Sequence, residues 1–190
     1  KDVRASLARA DLGGALNTRE LMDIARVLQC ARLVRGYIAD DSVGKTPIDS
    51  LFYALRANKF LEEKINTSIV GEDEIADSAS PELTSIRRQM RAAAARARDA
   101  LTKIISSPSY AKALQEPIIT MRSDRYVVPV KADHKGAVPG LVHDISASGM
   151  TLFVEPMGAV KANNELRELN AREKIEIDRI LAELSADCAE

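Results

Sequence analysis

The residues of this chain that could do chemistry are few and scattered. Gly44-Lys45-Thr46 has the ending of a phosphate-binding loop, in which backbone amides and a lysine cradle a nucleotide. Such a loop needs a glycine five positions before Gly44, where Ala39 stands. Asp40 and Asp41 would face phosphate with like charge, and Pro47 removes a backbone donor. A helix start at Thr46-Pro47 explains the same residues better. His134 and His143 are the two histidines, and no cysteine or carboxylate cluster accompanies them to complete a metal site of three or four ligands. Ser146 and Ser148 neighbour His143 and Asp144. A hydrolytic serine needs a base held against it and oxyanion donors, which adjacency does not supply, so a turn is the simpler reading. Cys30 and Cys188 lie far apart without metal-ligand spacing, which points to a reduced, cytosolic setting. No catalytic, cofactor-binding or metal-ligating residue is assigned.

What remains is charge. The net charge of -1 excludes a globally basic binder, so any polyanion contact must come from a local patch. Arg87, Arg88, Arg91, Arg96, Arg98 and Lys103 face one acid, Asp99, in the same stretch; the run could grip phosphates, but ion pairing with the acid-rich return helix, residues 165–183, is the favoured reading. Arg122, Arg125, Lys131, His134, Lys135 and His143 are the candidate nucleic-acid-binding residues. Gly136 and Gly140 loosen the backbone among them, and Asp124, Asp133 and Asp144 dilute their charge. Their contact should be with backbone phosphates and independent of base sequence.

These side chains need a frame, and the apolar pattern predicts a mainly α one. With almost no aromatics and no Trp, the core must be Ala, Leu, Ile and Val, which favours packed helices. Asn17 with Glu20 has the logic of a capping box before Leu21, Ile24, Ala25, Leu28, Ala31 and Leu33 at helical spacing. Residues 40–44 break that helix, and a second is expected from Thr46-Pro47 through Leu51, Leu55 and Leu61. Ile69 to Ala76 reads as a connector. Ser80-Pro81-Glu82 is a strong helix start, and Leu83, Ile86, Met90, Ala93, Ala97, Ala100 and Ile104 form a heptad seam lined with alanine. Ile118 to Arg122 and Arg125 to Lys131, split by Ser123-Asp124, predict a hairpin. Leu141 to Ile145 and Thr151 to Val154 predict two more strands around the turn residues 146–149. A last long helix begins near Gly158, its seam interrupted by Glu173. The chain starts on Lys1 and stops within that helix, so a fragment of a longer protein is expected. No apolar run is long enough to span a membrane and no signal peptide is visible.

The stretch from Gln115-Glu116-Pro117 through Met121-Arg122-Ser123-Asp124-Arg125 to Pro129-Val130-Lys131 resembles the clamp entry of the MutS family. It is most similar to that family's second bacterial branch. Gly140-Leu141-Val142-His143-Asp144 through Phe153-Val154-Glu155-Pro156 resembles the same branch, as does Asn163-Asn164-Glu165-Leu166-Arg167. Upstream, Ile75 to Leu83, Asp11 to Gly14 and Thr18 to Leu21 are similar to its lever region. The resemblance implies a helical lever over 1–78 and an ascending arm helix over 79–110. A β-rich clamp over 111–157 and a descending arm helix over 158–190 complete it, the two arm helices forming an antiparallel coiled coil. It implies a homodimer that closes on DNA backbone, binding branched intermediates and suppressing recombination. ATP and Mg belong to an ATPase domain further along such proteins, and the nuclease to another; neither pattern occurs here. An alternative within the branch is an arm engaging rRNA and protein on stalled or collided ribosomes, in the cytoplasm like the DNA-directed form.

Overall fold

The computed structural model describes residues 1–38 and 47–189. Gly44-Lys45-Thr46 and the expected helix break at 40–44 lie outside the described residues. The fold is mainly helical with two small antiparallel sheets. It divides into two compact units: one of Lys1–Thr84 with the stretch from Lys174 onward, the other of Ser85–Glu173.

The first unit holds α1 (Arg4–Asp11), α2 (Thr18–Ile38), α3 (Asp49–Tyr53), α4 (Lys59–Ser68) and the strands β1 (Ile69–Gly71) and β2 (Glu74–Ile75). The capping box forms at α2: Asn17 Oδ1 accepts from the Glu20 N–H at 2.9 Å, and Glu20 Oε2 accepts from the Asn17 N–H at 3.0 Å. Two expectations fail. The helix foreseen through Leu61 is two helices, because Asn58 intervenes and its side chain caps α4 by accepting from the Leu61 N–H at 3.0 Å. The connector foreseen at 69–76 is a hairpin, β1 pairing with β2, which buries Ile69 and Ile75 at its ends. Leu21, Ile24, Leu61, Ile65, Leu83, Ile180 and Leu184 build the core with them.

Helix α5 (Pro81–Ile105) begins where the sequence placed it. The Ser80 hydroxyl accepts from the Leu83 N–H at 2.9 Å and donates to Glu176 Oε1 at 2.7 Å. One side chain thus caps a helix and satisfies a buried carboxylate. Helix α6 (Met157–Ala189) supplies that glutamate.

In the second unit α5 and α6 run antiparallel side by side, since Arg87 pairs with Glu173 at 2.7 Å and Arg96 with Glu165 at 2.6 Å. Ile86, Ala93, Leu166 and Leu169 fill the seam between them. Ala97 is also fully buried, while Ala100 and Ile104 are only half-covered and Leu101 takes the buried position there. Between the helices lie β3 (Thr120–Arg122), β4 (Arg125–Lys131), β5 (Gly140–Ile145) and β6 (Thr151–Pro156), ordered β3-β4-β6-β5 and antiparallel throughout. Val128, Val130, Leu152 and Val154 pack their inner face onto Leu101 and Ala159.

Candidate nucleic-acid interface

Local backbone chemistry sets where the candidate cations point. The turn between β3 and β4 has Ser123 at φ 50° and Asp124 at φ 60°. Two successive left-handed residues define the tight hairpin that matches strand twist, and short polar side chains tolerate it. Arg122 and Arg125 therefore sit directly opposite each other. On β5 the register shifts between Val142 and Asp144, so His143 is an extra residue in a bulge. Gly140 permits the adjoining close approach of strands: a Cβ there would lie 2.1 Å from the Glu155 carbonyl oxygen.

Two candidates, Arg125 and His143, converge on one buried carboxylate. Glu155 is 0% exposed. Arg125 Nη1 donates to Glu155 Oε1 at 2.7 Å, His143 Nε2 meets Oε2 in a short contact, and Asn163 Nδ2 donates to Oε1 at 2.8 Å. The second arm of Arg125, Nη2, donates to Asn164 Oδ1 at 2.6 Å. Burial pushes the Glu155 carboxyl up, but the hydrogen bonds from His143, Asn163 and Arg125 outweigh it and hold the group below the usual carboxylate range. Arg122 is tied separately. Its guanidinium lies 3.9 Å from the Phe153 ring centre, and Nε is 3.2 Å from Asp144 Oδ2.

The other three candidates lie at the opposite end of β4. Lys131 is its last residue, and the 3-10 turn Ala132–His134 and Lys135 follow. His134 Nδ1 is 3.0 Å from Asp133 Oδ1, and that contact, more than the neighbouring Lys131 charge, lowers the Asp133 carboxyl. Among the described residues neither the Lys131 nor the Lys135 ammonium is held in a side-chain hydrogen bond or ion pair. Lys131 borders an open depression of about 510 Å³ with Gln115, Ala132, Asp133, Gly149 and Met150. The Lys131 N–H donates to the Ala113 carbonyl at 2.8 Å, which brings Lys112 to the same end. Sequence reasoning did not single out Lys112.

The α5 arginines are differently employed. Arg87 and Arg96 pair with α6 acids as described, and Arg98 lies 5.2 Å from the Tyr126 ring centre. Glu155 and Asn163 are the residues that sequence reading passed over as participants. Their signals were present: a glutamate closing the apolar run Leu152-Phe153-Val154, and an asparagine pair opening a helix. Among the described residues, no group of three or more His, Cys, Asp or Glu could hold a metal, and no helix is long and apolar enough to cross a membrane.

No family model matches the chain. Curated relatives do, from end to end. It is 53% identical to a protein of Ruminiclostridium cellulolyticum over 99% of this chain, and 50% identical to one of Pelotomaculum thermopropionicum over all of it. A third, from Acetivibrio thermocellus, is 48% identical over 98% of the chain. These identities make the chain a segment of a MutS-type protein. All three relatives carry the name Endonuclease MutS2, and it is with MutS2 that the segment belongs. The chain spans about a quarter, 24%, of the length of each.

Proposed function

We propose that this chain is the lever and clamp of a MutS2-type protein and that its four-stranded sheet grips nucleic-acid backbone. DNA is the polymer intended, since the relatives are named as endonucleases. The observation that carries the reading is the unequal treatment of the six candidate cations. Arg125, His143 and Arg122 meet carboxylates at one end and across the face of the sheet. Among the described residues, Lys131 and Lys135 stand at the other end with neither ammonium in a hydrogen bond or ion pair, although Asp133 feels the Lys131 charge. Ammonium groups outside any internal ion pair are suited to phosphate, because binding there releases counterions without breaking such a pair. Lys131, Lys135 and His134 are assigned the phosphate contacts, while Arg122 stays stacked on Phe153 and paired with Asp144. The paired α5 and α6 helices act as the arm, and the first unit as the lever.

On this reading the chain performs no chemistry of its own. The ATPase and nuclease, with their ATP and Mg, belong to parts of the protein outside these residues, and two copies of the clamp close around one DNA as a homodimer. Branched duplexes and suppression of recombination are the proposed setting. No observation on the described residues favours the ribosome-directed alternative. The test is DNA binding by the full-length protein, with Lys131 and Lys135 replaced by alanine. Binding should weaken equally on DNAs of unrelated sequence, since backbone contacts carry no base information.

A further inference from the structure

We infer that Arg125 and His143 are positioning residues that lock the β-sheet onto α6 through Glu155, Asn163 and Asn164, rather than contacts for phosphate. The inference rests on the proposed nucleic-acid reading, which it deepens.

The geometry leaves little of Arg125 to offer. Its side chain is 14% exposed, and its two terminal nitrogens are given to Glu155 and Asn164 at 2.7 Å and 2.6 Å. A guanidinium is a flat fork whose arms diverge, so it can bridge a strand carboxylate and a helix carboxamide at once. His143 reaches the second oxygen of the same carboxylate from β5. Asn163, fully buried on α6, donates to Glu155 and exchanges two hydrogen bonds with the backbone of Tyr126 on β4. One buried anion is thereby held from β4, β5 and α6 together. Removing a partner would leave Glu155 or Asn163 unsatisfied in the interior, a cost that shifts the strands to find water. Because Lys131 is the far end of β4, any change in how β4 docks on α6 is delivered to the proposed phosphate contacts.

The test compares four variants of the full-length protein: Arg125→Ala, Arg125→Lys, Asn164→Ala and Lys131→Ala. Binding to a labelled DNA duplex and to a four-way junction is measured over a series of potassium chloride concentrations, with melting recorded for each variant. Asn164 is exposed and uncharged, so its variant should fold and removes no cation. Positioning requires that Arg125→Ala and Asn164→Ala weaken binding, by about tenfold for the arginine, while the slope of log affinity against log salt stays at the wild-type value. Arg125→Lys should not restore affinity, since an ammonium cannot span both acceptors. Lys131→Ala should lower the slope by about 0.9. A slope reduced by about 0.9 in Arg125→Ala, with Asn164→Ala unaffected and Arg125→Lys restored, would make Arg125 a phosphate ligand and overturn the inference. So would wild-type affinity in both Arg125→Ala and Asn164→Ala well below their melting temperatures. If wild type itself shows no salt-dependent binding to either DNA, the nucleic-acid reading fails, and the inference falls with it.

Discussion

The Asn163 carboxamide substitutes for a strand beside Tyr126: Oδ1 accepts from the Tyr126 N–H and Nδ2 donates to the Tyr126 carbonyl, both at 3.1 Å. Pairing of β4 with β6 runs from Lys131 back to Val128 and goes no further. The backbone polar groups of Tyr126 would lose a partner there, and a side chain from α6 supplies one. Asn163→Leu, close in size but without donor or acceptor, should lower the melting temperature. It should also speed amide exchange at Tyr126 while leaving the core of the first unit protected. Unchanged exchange at Tyr126 would mean that these two hydrogen bonds contribute nothing to the end of the sheet.

The helix seam in the second unit is set by alanine. Ala93 and Ala97 are both 0% exposed, so there is no room for a longer side chain without moving a helix. Ala97→Leu should destabilise by about 1–3 kcal/mol, the usual cost of overpacking a filled core. The surface pair Arg96–Glu165 should matter much less, by about 0–1 kcal/mol, because both partners are substantially exposed. Urea melts of Ala97→Leu and Glu165→Gln decide this, and equal losses would show that charge rather than packing sets the register.

Gly140 is fixed by space rather than by backbone angle. A methyl there would meet the Glu155 carbonyl oxygen at 2.1 Å and its carbon at 2.8 Å, so β5 would have to leave β6. Gly140→Ala should abolish amide protection in β5 with α5 and α6 retained. Wild-type protection in β5 would contradict the close approach.

In the first unit, Glu176 is held down to about 2 from 4.5, first by the hydrogen bonds of Arg179 and then by the Ser80 hydroxyl. A carboxyl with a lowered folded-state value adds stability that is fully present above its unfolded value. That stability is lost as pH falls through the folded one. The gap in melting temperature between wild type and Glu176→Gln should therefore be complete near neutral pH and shrink between pH 4.5 and about 2. A gap that stays constant over that window would mean the carboxylate charge is not what Ser80 and Arg179 are holding.

Much of the frame was legible in the sequence because it is locally encoded. The Asn17–Glu20 box, the Ser80-Pro81-Glu82 start and the Ser123-Asp124 turn each write their geometry within four residues. The misses had non-local or subtle causes. Asn58 looked like an ordinary polar residue until its side chain capped α4, and the hairpin at 69–75 is stabilised by core residues distant in sequence. For the candidate site, residue type identified cations but not their employment. Arg125 and Lys131 end the same strand, yet one is bound to Glu155 and the other is not. That difference is non-local: Glu155, on β6, is met by Arg125 from β4, by His143 from β5 and by Asn163 from α6.

The most direct measurement is the salt dependence of DNA binding by the full-length protein and its Lys131→Ala/Lys135→Ala variant. If the two lysines each neutralise one phosphate, the slope of log affinity against log salt should fall by about 1.8. Melting should be unchanged, and the loss should be the same on DNAs of unrelated sequence. The same slope and affinity in variant and wild type would contradict phosphate binding at this end of the sheet, and with it the proposal that the clamp grips nucleic acid there.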